Sequence, residues 1–100
     1  MTRFFRTLLI ALPLLAVSAP ALAGSYYSAQ PEAAPASAKL VARDTIWKCG
    51  PDGCFAGKSN SRPAVVCAVL VKQVGAVRSF SANGTALAPD QLEKCNAKAQ

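Results

Sequence analysis

The chain has 100 residues, eleven Lys or Arg against five Asp or Glu, and no histidine, giving a formal net charge of +6. That length allows one domain at most. The lack of histidine excludes a Ser-His nucleophile, and the scattered acids Glu32, Asp44, Asp52, Asp90 and Glu93 form no carboxylate pair for acid-base catalysis.

Residues 1–23 have the three parts of a secretory signal peptide. Arg3 and Arg6 charge the start, an apolar run from Thr7 to Ser18 follows, and Ala21-Leu22-Ala23 supplies a small-x-small cleavage site. Pro13 and Pro20 interrupt the run, which is too short to span a bilayer, so contact with a membrane is expected only through this segment before cleavage. Cleavage after Ala23 removes two arginines and leaves nine cations against five acids, a net charge of +4. The expected address is the periplasm or the medium. Such a small domain buries little apolar surface, and in an oxidising compartment its four cysteines read as two disulfides.

Residues 24–38 are rich in Ala, Ser and Pro without periodicity, so a flexible linker is expected there, with Tyr26 and Tyr27 its only bulky groups. The folded domain is expected over 39–100. Leu40 to Trp47 reads as one strand, Gly50-Pro51-Asp52-Gly53 as a turn, and Cys54 to Ala56 as the returning strand. Lys58 to Ser61 is an exposed loop. Ser61 is placed to cap a helix opened by Arg62 and Pro63, whose valine-rich body, Ala64 to Val74, suits a strand by propensity and a buried helix by length. Lys72 in the last turn and Gly75 beyond it favour the helix, with Val66, Val69, Leu70 and Val74 facing inward and Cys67 beside them. Ala76 to Ala82 is a strand, Asn83-Gly84 a hairpin turn, and Thr85 to Leu87 its return. Pro89 and Asp90 open a second helix over Gln91 to Ala97. The order specifies a small disulfide-stapled α+β domain with two short β-hairpins and two short helices.

Four cysteines allow three pairings. The four-residue turn between Cys49 and Cys54 suits a bridge across a hairpin, which leaves Cys67 and Cys95 to tie the helices together. Trp47 ahead of Cys49-Gly50-Pro51 resembles the Trp-Cys-Gly-Pro-Cys signature of thioredoxin-like proteins. Asp52 and Gly53 lengthen the spacing, though, and a reactive thiol needs a helix N-terminus to lower its pKa. A labile Cys49/Cys54 redox pair is therefore the alternative reading, and a four-thiolate metal site a weaker one without a CxxC knuckle or histidine. No cofactor is expected. Gly57-Lys58-Ser59 lacks the upstream glycine of a phosphate-binding loop, and Asn83-Gly84-Thr85, formally a glycosylation sequon, is explained as a turn. The candidate interaction surface is Trp47, Lys48, Asp52, Lys58 and Arg62, within which Lys48, Lys58 and Arg62 would form a basic edge suited to an envelope protein or an anionic envelope polymer. Export would separate it from nucleic acid.

Trp47-Lys48-Cys49, Arg62-Pro63 with Cys67, Val74-Gly75, Ser79 to Gly84, and Leu92 to Asn96 together resemble a family of small uncharacterised exported proteins of alphaproteobacteria, from sphingomonad and caulobacter relatives. The resemblance spans nearly all of the chain after residue 23. It implies a periplasmic or secreted address, pairs Cys67 with Cys95 within a shared pattern that includes Asn96, and transfers no catalytic residue. The expected function is non-catalytic binding of an envelope component.

Overall fold

A computed structural model describes residues 25–99; the expected signal peptide lies outside the described residues. The elements run β1 (Tyr27–Pro31), β2 (Lys39–Ala42), β3 (Thr45–Gly50), β4 (Gly53–Ala56), α1 (Pro63–Val74), β5 (Val77–Ala82), β6 (Thr85–Ala86) and α2 (Pro89–Asn96). The strands form one antiparallel sheet in the order β2-β3-β4-β1-β5-β6. This is an α+β domain of two layers, with one face of the sheet against the helices and the other open.

The largest departure from expectation is β1. Residues 24–38 were expected to form a flexible linker, yet Tyr27–Pro31 joins the β2-β3-β4 meander to the β5-β6 hairpin. Tyr27 aligns with Ala56 on one side and Ala82 on the other. Side chains alternate across a strand, so Tyr27 and Ala29 are buried on the helix side, while Ser28 and Gln30 face the other way. Alanine and serine suit this place because they leave room for large neighbours. Tyr27, Trp47 and Phe80 form a triangle with ring centroids 5.9 to 6.1 Å apart, at the separations aromatic pairs prefer.

The expected single strand from Leu40 to Trp47 is instead two, because the chain reverses at Arg43-Asp44. Ala42 aligns with Thr45 and Leu40 with Trp47. Arg43 takes φ +63°, a left-handed conformation that carries steric cost in a residue with a Cβ. The next turn agrees with expectation: Gly50 aligns with Gly53 and Cys49 with Cys54. Gly53 has φ +123°, and a Cβ there would lie 2.7 Å from the Ala29 carbonyl oxygen. Only glycine fits so close to the central strand.

In α1, Val66, Cys67, Leu70 and Val71 are buried against the sheet, while Val69 and Val74 are partly covered. The helix touches both β2 and β5, so it crosses most of the sheet above the aromatic triangle. Ser61 is not its cap. Arg62 occupies that position without a side-chain cap, and the Ser61 N–H donates to Ser59 Oγ at 3.0 Å. Gly75, at φ +84°, ends the helix and donates its N–H to Val71 O. Asn83 and Gly84 both have positive φ, as a two-residue hairpin turn requires.

Both expected bridges are present, Cys49–Cys54 across β3 and β4 and Cys67–Cys95 between the helices. Asn96 adds a second tether for α2. Its Oδ1 accepts from Val77 N–H and its Nδ2 donates to Val77 O, each at 2.9 Å, so the side-chain amide pairs with β5 like a short length of strand.

Candidate functional site

Of the five residues expected to form one interaction surface, Trp47 does not reach the surface and the other four are exposed. Trp47 is fully buried, so it belongs to the core and not to a surface. The strand alternation that buries Trp47 sends Lys48 to the open face of the sheet, opposite Lys39 and beside Phe55. Asp52 sits at the exposed β3–β4 turn, where its carbonyl accepts from Gln30 Nε2 at 2.7 Å. Lys58 lies over the Tyr26 ring, Nζ to centroid 5.6 Å, a cation–π contact. Arg62 stands at the start of α1, on the helix layer. Strand alternation thus removes Trp47 from the surface and leaves Lys48, Asp52, Lys58 and Arg62 exposed on different elements.

A different cationic feature emerges between the helices. Along α1, Ala64, Val65, Ala68 and Val69 recur at helical spacing on the flank facing α2, while Gln91 and Lys94 on α2 and Lys98 in the turn after it stand opposite. Between these stripes runs an open groove of about 440 Å³. Arg43 reaches its lining from the β2–β3 turn and Lys72 from the last turn of α1, so four cations border a small-residue apolar floor and, among the described residues, no Asp or Glu side chain lines it. Cys95 is part of the lining, which places the Cys67–Cys95 bridge beneath the groove. A second groove of about 430 Å³ shares Ala64 and Gln91 with the first and continues past Leu87 to Arg62.

The turn carrying Arg43 is held from below by a polar chain. Asp44 Oδ1 accepts from Thr45 Oγ1 at 3.2 Å and from Ser59 Oγ at 3.3 Å. The Tyr27 hydroxyl in turn accepts from Ser59 N–H and donates to Ser59 O, both at 3.3 Å. Tyr27, Thr45 and Ser59 are buried. The central strand, the turn and the loop before α1 are thus fastened to one another through side chains that the core shields from water. Gln73 Nε2, donating to Val41 O, fastens the same hairpin to α1.

The cysteine geometry bears on reactivity. Cys49 and Cys54 lie in paired strands, Cys54 fully buried and Cys49 partly so, and neither is at a helix N-terminus, the setting that activates a redox thiol. All four cysteines are bridged. Among the described residues no three potential metal-ligating side chains gather, and no helix is long and apolar enough to cross a membrane.

Fold, bridges and groove together define a small disulfide-stabilised α+β domain. Residues 11–97 match the Family of unknown function (DUF8200), and the chain belongs to that family. No curated protein and no solved structure matches it.

Proposed function

We propose that this protein is an exported, disulfide-stapled binding module that holds an anionic component of the cell envelope without catalysis, and that the groove between α1 and α2 is its binding site. One observation carries the reading: Arg43, Lys72, Lys94 and Lys98 line one concavity to which, among the described residues, no Asp or Glu side chain contributes. Like charges gathered without counter-charges raise the local potential and attract an anion. A concave, mainly apolar surface with a few polar groups at its margin is the usual form of a ligand site.

The export half of the proposal is supported by the signal-peptide pattern of residues 1–23, by the resemblance to exported alphaproteobacterial proteins, and by the commitment of all four cysteines to bridges. Protein recovered from the periplasm or medium should begin at Gly24; recovery only from the cytosol with residues 1–23 attached would contradict export.

The binding half is tested by calorimetric titration of the disulfide-intact protein with three anions of different kind: a fatty-acid carboxylate, glycerol 3-phosphate and polyglutamate. Saturable binding of at least one, lost in the double variant Lys94→Gln/Lys98→Gln, is the expected result. Absence of saturable binding to all three would refute it.

A further inference from the structure

We infer that the groove's ligand is a fatty-acid anion, its single acyl tail lying along the α1–α2 floor and its carboxylate held at the cationic rim, with Arg43 as the principal headgroup residue. The inference rests on the binding reading above and names the ligand of the same site.

The floor and the rim ask for different chemistry. A purely ionic partner, such as a polyanion or free phosphate, would satisfy Arg43, Lys72, Lys94 and Lys98 but leave the alanine and valine floor wet. An uncharged apolar ligand would cover the floor and leave four cations crowded without a counter-charge. An amphiphile with one acid group and one tail satisfies both, since the tail removes apolar surface from water while the acid accepts charge-assisted hydrogen bonds. The shape favours one tail, because the trough lies between two facing helical stripes and continues through Ala64 and Gln91 into the second groove. Other occupants fit the charge less well. Residues 1–24, outside the described residues, are apolar but carry Arg3 and Arg6 and no acid, and a second copy of an exported chain with net charge +4 would bring cations to cations.

Arg43 is singled out by its backbone. It holds φ +63° at a turn whose neighbours Asp44, Thr45 and Ser59 form a hydrogen-bonded support. The two-residue turn asks for a positive φ, which glycine or asparagine usually supplies; arginine there keeps the turn and places a cationic side chain on the groove. Arginine also offers a planar fork matched to a carboxylate, which lysine does not.

The test uses disulfide-intact protein from cells expressing the full chain. Dodecanoate below its micelle concentration is titrated calorimetrically, with dodecyltrimethylammonium and inorganic phosphate as controls for tail and charge alone. Saturable one-to-one binding of dodecanoate is expected, with neither control reaching comparable affinity. Arg43→Asn, which keeps a residue tolerant of positive φ, should melt at or above the wild-type temperature while losing about tenfold in affinity, the effect of one charge-assisted contact. Arg43→Lys should recover only part of that loss. Equal binding of dodecyltrimethylammonium, or unchanged dodecanoate affinity in Arg43→Asn, would overturn the inference. Saturable binding of phosphate or polyglutamate without dodecanoate would overturn it and leave the anionic-site reading standing; failure of every anion would remove both.

Discussion

The two disulfides should differ in their worth to the fold, and the difference follows from where they sit. Cys67–Cys95 spans 28 residues and Cys49–Cys54 spans 5. A cross-link removes closure entropy from the unfolded chain in proportion to the logarithm of the loop, about 3.5 kcal/mol for the long bridge and about 2 kcal/mol for the short one. Burial adds to the same side. Cys67 and Cys95 are both in the core, 0% and 3% exposed, and their replacement leaves a space between the two helices. Of the short bridge only Cys54 is fully buried, Cys49 being partly exposed, and the tight Pro51-Asp52 turn already brings β3 and β4 into register. For a domain of this size each kcal/mol shifts the melting temperature by roughly 4–8 °C. The double variant Cys67→Ala/Cys95→Ala should therefore melt roughly 6–12 °C below Cys49→Ala/Cys54→Ala. Thermal denaturation followed by circular dichroism, without reductant, gives the comparison. Equal melting temperatures, or a lower one for the short-bridge variant, would refute the reasoning.

Tyr27→Ala removes one ring of the aromatic triangle and the hydroxyl that meets Ser59, so a loss of about 3–5 kcal/mol in urea denaturation is expected; a loss below about 1 kcal/mol would be that of an ordinary surface site and would contradict the central position of β1. Asn96→Ala leaves the buried strand residue Val77 without its two side-chain partners and should cost about 1–3 kcal/mol, read by the same assay. Gly53→Ala places a Cβ against the Ala29 carbonyl at a positive φ. It should lower stability by more than about 2 kcal/mol, whereas Gly57→Ala, with nothing within 4 Å of the added carbon, should change it little.

What the sequence made legible was local. The Asn83-Gly84 hairpin, the Gly50 to Gly53 turn and the helix from Pro63 are specified by residues within a few positions of each other, and turn chemistry or capping glycine reveals them. The bridges followed once Cys49 and Cys54 were placed across a hairpin. The central strand was not legible, since Tyr27-Ser28-Ala29-Gln30-Pro31 has weak strand propensity, and its order comes from Ala56 and Ala82, far along the chain. The β2–β3 turn was hidden for another reason: Arg43 occupies a positive-φ position usually marked by glycine or asparagine. The groove was missed because Arg43, Lys72, Lys94 and Lys98 converge only when α1 packs beside α2. The signal available was small. Lys94 in α2 and Lys98 in the turn just beyond its end stand four apart in sequence, but nothing local ties them to Arg43. Trp47 misled in the opposite way, since its neighbours Lys48 and Asp52 are exposed and its own side chain, one residue out of phase with Lys48, is buried.

The claim that the helix pair, and not the open sheet face, is the binding surface is tested most directly by mapping backbone amide shifts of the isotopically labelled protein during a dodecanoate titration. The expected perturbations fall on Ala64 to Lys72 and Gln91 to Lys98, with Arg43 moving alongside them. Perturbations centred instead on Lys39, Val41, Ile46 and Lys48, which line the open face, would contradict the account.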